Sequence, residues 1–135
     1  MSRISGPLMD RFDLRIEVPP VALSDLDLPQ AADTTATIAA RVATGRAVQA
    51  ARFAGTSMRV NADLEGSALE QAATPDIEGK DLLLRIADRF GLSARGYHRV
   101  LRVARTIADL DGSEDVRKPH VAEAAGYRLA LAKEV

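Results

Sequence analysis

The chain has 135 residues, a formal net charge of −1 and no cysteine, and 47% of it is apolar but only 4% aromatic. This length predicts one domain, the near-zero charge gives no global sign of nucleic-acid or membrane binding, and the lack of thiols excludes disulfides and thiolate chemistry and suits a reducing compartment. No apolar run approaches the roughly 20 residues of a membrane span, and the N-terminus MSRISGPLMD lacks the apolar stretch of a signal peptide, so a cytoplasmic protein is expected.

The first element in chain order is Asp13–Val18, DLRIEV, in which Leu14, Ile16 and Val18 alternate with Arg15 and Glu17. That period predicts a half-buried strand, stopped by Pro19 and Pro20. No second strand follows, and a strand without partners leaves its backbone groups unsatisfied. Residues 1–20 are therefore expected to be the tail of a larger core, disordered here or paired by swapping with another copy. Residues 21–33, with Asp25, Asp27, Pro29 and Asp33, read as a linker. From residue 34 the pattern is helical to the end, which predicts an all-α fold: a small helical bundle preceded by an extended segment.

The first long helix starts at one of three candidate caps, Asp33, Thr34 or Thr35, with Ile38, Val42 and Phe53 as its larger apolar contacts and Gly45 weakening its middle. NADLEGSALEQAA predicts a short helix capped by Asn61. TPDIEGKDLLLRIADRFG predicts one capped by Thr74 with Pro75 at N1, a stripe of Leu83, Ile86, Ala87 and Phe90, and Gly91 just past its end. SARGYHRVLRVARTIADLDG starts at Ser93 and stops near Gly112, and a last helix begins with Pro119 at N1.

The Ser93–Leu110 helix carries the strongest signal. At about 100° per residue, Tyr97, Val100, Leu101, Ala104, Ile107 and Ala108 share one face, and Arg95, His98, Arg99, Arg102, Arg105, Thr106 and Asp109 share the other. The basic face is expected to look outward. Few of its arginines have an acid four residues away; only Arg105 does, with Asp109. Arg95 falls at N2, where a positive charge opposes the macrodipole by about 0.3–1 kcal/mol. Free N–H groups, the dipole's positive end and a forked cation converge there, a combination that suits a phosphate.

RISGPLMDRFDLRIEVPPV together with GLSARGYHRVLRVARTIADLDGSEDVRKPHVAEAAGYR resembles the C-terminal part of the magnesium-chelatase-like AAA+ ATPases, in the branch of the ComM/YifB-type competence-related proteins. The resemblance is specific at both ends of the chain and looser from about Leu23 to Arg89. It implies that residues 1–20 are the end of an α/β ATPase core, residues 21–33 a linker, and residues 34–135 the helical lid. It implies ATP and Mg2+ in the full-length protein, with none bound by this chain alone. Its implied partners are its own core and neighbouring subunits in a ring, a hexamer, and DNA, on which the ring does ATP-driven work such as branch migration in natural transformation. Arg11, in MDRFDL, matches an arginine finger acting on the neighbouring subunit's nucleotide. Arg95, in LSARGYHRV, matches the sensor 2 arginine at the terminal phosphate, with His98, Arg99 and Arg102 beside it as further nucleotide contacts. The plain alternative for Arg11 is a surface ion pair with Asp10 or Asp13.

The chain has no G-x-x-x-x-G-K-[ST] loop; AGTSMR lacks both lysine and spacing. No metal site is expected, because His98 and His120 begin no ligand set. Gly96, inside a helix, costs up to about 1 kcal/mol relative to alanine, unless another segment approaches it closely. Two rival readings stand beside the DNA-working lid. One is the lid of a metal-chelatase ATPase subunit; the other is a helical DNA-binding module that reads phosphates through the arginine stripe.

Overall fold

The computed structural model of the chain describes residues 6–29 and 32–129. The helices among them are α1 (Gly6–Met9), α2 (Thr35–Arg52), α3 (Gly66–Ala73), α4 (Ile77–Phe90), α5 (Ala94–Leu110) and α6 (Lys118–Leu129), with short 3-10 turns at Leu23–Asp27 and Asn61–Asp63. The described residues contain no sheet, only an isolated parallel bridge between Pro75 and Val116.

Local chemistry sets several helix ends. Thr34 caps α2 by accepting the N–H of Thr37 at 3.2 Å, and Ser93 caps α5 by accepting that of Gly96 at 3.0 Å. Gly91 closes α4 in the left-handed region, at φ 60° and ψ 44°. A β-carbon is disfavoured there by about 1–2 kcal/mol, so Gly91→Ala is expected to lower stability by that amount in a urea titration; an unchanged midpoint would show that the α4–α5 turn relaxes freely.

Two predicted caps are displaced. Asn61 is 2% exposed and buried in the core, and α3 starts later, after Glu65. Thr74 ends α3, and Pro75 lies in the bridge to Val116, where the N–H of Asp76 donates to the Val116 carbonyl at 2.9 Å. That pairing holds the connection extended, so Asp76 becomes the cap of α4 and accepts from the N–H of Gly79 at 2.7 Å.

Helix α5 packs against α2, α3 and α6, and α4 packs on α6. Its Ala104 and Ala108 face a region shared with Ala124 and Ala125, all nearly inaccessible; small side chains let helices approach closely, and Leu64, Leu83, Val100, Val116 and Val121 fill the rest. Other predicted contacts fail. Ile38 and Val42 are exposed, because only the C-terminal half of α2 reaches the bundle, through Gly45, Gln49 and Phe53. Phe90 is also exposed, at the last position of α4, with the Arg89 guanidinium over its ring.

The N-terminal segment differs most from expectation. Asp13 lies in a bend and residues 14–18 join neither helix nor sheet, and their apolar side chains are largely exposed, from 48% for Leu14 to 83% for Val18. The segment is not free: residues 10–15 lie against α5 and α6, held by polar contacts. The part of that expectation that falls on residues 1–5 lies outside the described residues, as do positions 30, 31 and 130–135.

Candidate functional site

The site is built where the N-terminal segment crosses the start of α5. The first turn of α5 contains no acid. A carboxylate reaches it from elsewhere in the chain: Asp10 accepts a hydrogen bond from the Ser93 hydroxyl at 3.1 Å. Negative charge at that end favours the helix dipole. The same carboxylate takes a 2.5 Å contact from Arg128 at the end of α6. Arg128 is 6% exposed, and its other terminal nitrogen donates to the Phe12 carbonyl at 3.3 Å. Gly96 makes room for it, because a β-carbon on Gly96 would lie 3.0–3.3 Å from the Arg128 guanidinium. The glycine inside α5 thus reflects a close approach by another segment.

Further contacts extend the clamp. Asp13 pairs with Arg99, the Arg15 N–H donates to the Tyr127 carbonyl at 2.9 Å, and the Arg15 guanidinium donates to the Met9 carbonyl at 3.1 Å. Burial, followed by the nearby charge of Arg128, pulls the Arg15 guanidinium below its ordinary value, with Asp10 opposing the shift. The Tyr127 hydroxyl is raised because it donates to the Glu123 carboxylate.

The predicted site residues separate into two groups. Arg11 and Arg95 are exposed, and neither enters a side-chain hydrogen bond or ion pair among the described residues. The pairing of Arg11 with Asp10 or Asp13 does not form, since those acids are engaged by Arg128 and Arg99. Arg11 follows Asp10 directly and Arg95 follows Ser93 by two residues, so the Asp10–Ser93 contact holds both arginines at one end of the bundle. His98 is exposed on the next turn, edge-on to Tyr97. Arg99 and Arg102 are half-buried and occupied, Arg99 by Asp13 and Arg102 by the Leu64 carbonyl at 2.7 Å.

With this geometry, residues 32–128 match the family described as magnesium chelatase, subunit ChlI C-terminal. The chain belongs to that family. It is 40% identical over 132 residues to competence protein ComM of Haemophilus influenzae, an alignment covering 97% of this chain and 25% of that protein. It is 37% identical over 131 residues to the uncharacterized protein YifB of Escherichia coli, covering 95% of this chain and 25% of the relative. The chain therefore spans about a quarter of the length of these curated relatives.

In this magnesium chelatase C-terminal domain the far end of α5 corrects the outward-facing basic stripe. Arg105 and Asp109 are 3% and 2% exposed. Their i, i+4 pair forms, but inside the protein. Asp109 accepts from Arg52 at 2.8 and 2.5 Å, from the Asn61 amide at 2.8 Å and from Arg105 at 3.1 Å. Arg105 also donates to the carbonyls of Ser113 and Glu114, each at 2.8 Å, and to that of Ala72 at 3.3 Å. Asn61 completes the network: its backbone N–H donates to the Gln49 side chain at 2.9 Å and its side-chain Oδ1 accepts from Arg52 at 2.9 Å. Burial raises the Asp109 carboxyl, but hydrogen bonds from Arg52 and Asn61 and the charges of Arg105 and Arg52 outweigh it, and the net shift is downward. The spacing of Arg105 and Asp109 was the one visible signal of this hub; periodicity assigned both to solvent because α5 is surrounded on several sides.

His120 is likewise buried. Its Nδ1 accepts the N–H of Arg117 at 2.9 Å, and its Nε2 lies 3.3 Å from Asp111, so it serves the start of α6. Among the described residues no group of three or more His, Cys, Asp or Glu side chains could hold a metal ion, and no helix is long and apolar enough to cross a membrane.

Proposed function

We propose that this magnesium chelatase C-terminal domain is the helical lid of an AAA+ ATPase, which closes on ATP bound by a core outside this chain and couples hydrolysis to work on DNA. Residues 1–20 are then the end of that core, residues 21–33 the linker and residues 34–135 the lid, in a ring of subunits. Relatives about four times as long, one of them named a competence protein, support a larger machine and a DNA role.

The observation that carries the reading is the distribution of charge on α5. Three of its arginines are spent on intramolecular partners, and Arg95 alone stays exposed and unpaired among the described residues, at a position that helix electrostatics disfavours. A forked cation there suits a phosphate oxygen as negative charge develops on it. Bound ATP with Mg2+ supplies the scissile phosphoanhydride and its counter-charge. Arg95 contributes a positioned cation as sensor 2, and Arg11 is presented from the same end as a finger toward a neighbouring subunit.

Arg95→Ala in the full-length protein is expected to lower kcat by about 10²–10³-fold, as for loss of one positioned transition-state donor, while ATP still binds. Preserved turnover combined with weaker DNA binding and a shallower salt dependence would instead favour a DNA-binding module.

A further inference from the structure

The lid reading leaves one set of interactions unused: the buried arginine of α6 and the half-buried arginine of α5 that grip the N-terminal segment. We infer that Arg128 and Arg99 are positioning residues. They lock the segment carrying Arg11 to the helix carrying Arg95, so that the two arginines keep a fixed position relative to each other. This inference rests on the proposed roles of those two arginines.

The geometry is specific to a clamp. Arg128 holds the residues on either side of Arg11, the Asp10 carboxylate through one terminal nitrogen and the Phe12 carbonyl through the other. Arg11 is thereby fixed at its backbone on both flanks while its own side chain stays exposed. The Asp10 carboxylate also binds the hydroxyl that caps α5, two residues before Arg95. Arg99, one helical turn beyond Arg95, adds the pair with Asp13. Gly96 gives the clamp room, since a β-carbon there would press within 3.0–3.3 Å of the Arg128 guanidinium. Apolar packing contributes less: Leu14, Ile16 and Val18 stay 48%, 69% and 83% exposed. The segment is therefore held by charge-assisted hydrogen bonds, which are directional and set orientation as well as position.

Displacing a reacting group by about 1 Å can reduce rate about 10²-fold without preventing binding. The test uses the full-length protein with spin labels on Phe12→Cys and Ala94→Cys, two exposed positions flanking the clamp. A single narrow label distance is expected in this background. Adding Arg128→Ala and Arg99→Ala should broaden the distance distribution. In unlabelled protein the same pair should lower kcat by about 10²-fold with little change in KM. Asp10→Asn, which removes the charge from the less buried partner, should give a smaller change of the same kind and serves if Arg128→Ala does not fold. A distribution that stays narrow overturns the inference. So does a broadened distribution with unchanged kcat, provided that Arg11→Ala and Arg95→Ala do lower turnover. If those two variants turn over normally, the lid reading itself fails and the inference falls with it.

Discussion

Arg11→Ala in the full-length protein is expected to lower ATP turnover by about 10³–10⁵-fold, the range for an arginine supplied to a phosphoryl-transfer transition state from a neighbouring subunit. The expectation follows from the proposed lid function and from where the side chain stands. Arg11 is exposed and in no ion pair among the described residues, although acids precede and follow it at Asp10 and Asp13. Those acids are taken by Arg128 and Arg99, so the arginine between them is left available. An effect in trans has a distinctive signature. Mixing Arg11→Ala subunits with subunits unable to bind ATP should restore part of the turnover, because some interfaces then pair an intact finger with an intact nucleotide site. Unchanged activity in the variant would remove Arg11 from the mechanism, and a loss that mixing does not restore would place its action within its own subunit.

The second large effect concerns folding. Asp109→Ala is expected to destabilise the domain by about 3–5 kcal/mol, the usual consequence of removing one partner from a buried ion pair. Asp109 is fully enclosed and is the shared acceptor for Arg52, Arg105 and Asn61. Without it Arg105, itself 3% exposed, keeps its carbonyl partners but loses its counter-charge, and the ties from α2 and from the Asn61 turn to α5 are cut. Chemical denaturation should show a lower midpoint with an unchanged slope; a loss below about 1 kcal/mol would mean that water or a shifted side chain replaces the carboxylate. The same residue gives acid sensitivity. Its folded pKa is depressed, so its contribution is fully present above the unfolded carboxyl value of about 3.9 and disappears as the pH falls through the folded value. The pH dependence of unfolding below about pH 4 should therefore be shallower in Asp109→Ala than in the unchanged protein.

Much of this architecture was legible because it depends on neighbours in sequence. The caps at Thr34 and Ser93 and the left-handed Gly91 are satisfied within three or four residues, and the apolar face of α5 follows from its 3.6-residue period. The exposed position of Arg95 belongs to this class, since N2 lies on the open end of its helix. The failures share one physical cause. Thr74 and Pro75 read as a helix start, but a backbone partner far along the chain, at Val116, holds the connection extended. DLRIEV read as a strand with a buried apolar side, but its register is set by charged partners on α5 and α6.

Length, charge and local pattern by themselves determined an all-α domain, the course of α5 and the position of Arg95 in its first turn, because helices, caps and turns are closed by short-range hydrogen bonds. Only the tertiary structure decided where the polar side chains go. Arg105, Asp109 and Asn61 are buried because partners from three elements satisfy them together, and Arg128 crosses a glycine to clamp residues 10–13 because packing brings α6 against α5. Burying a charge is favourable only when its partners are in place, and those partners lie too far apart in the chain for any local pattern to reveal them.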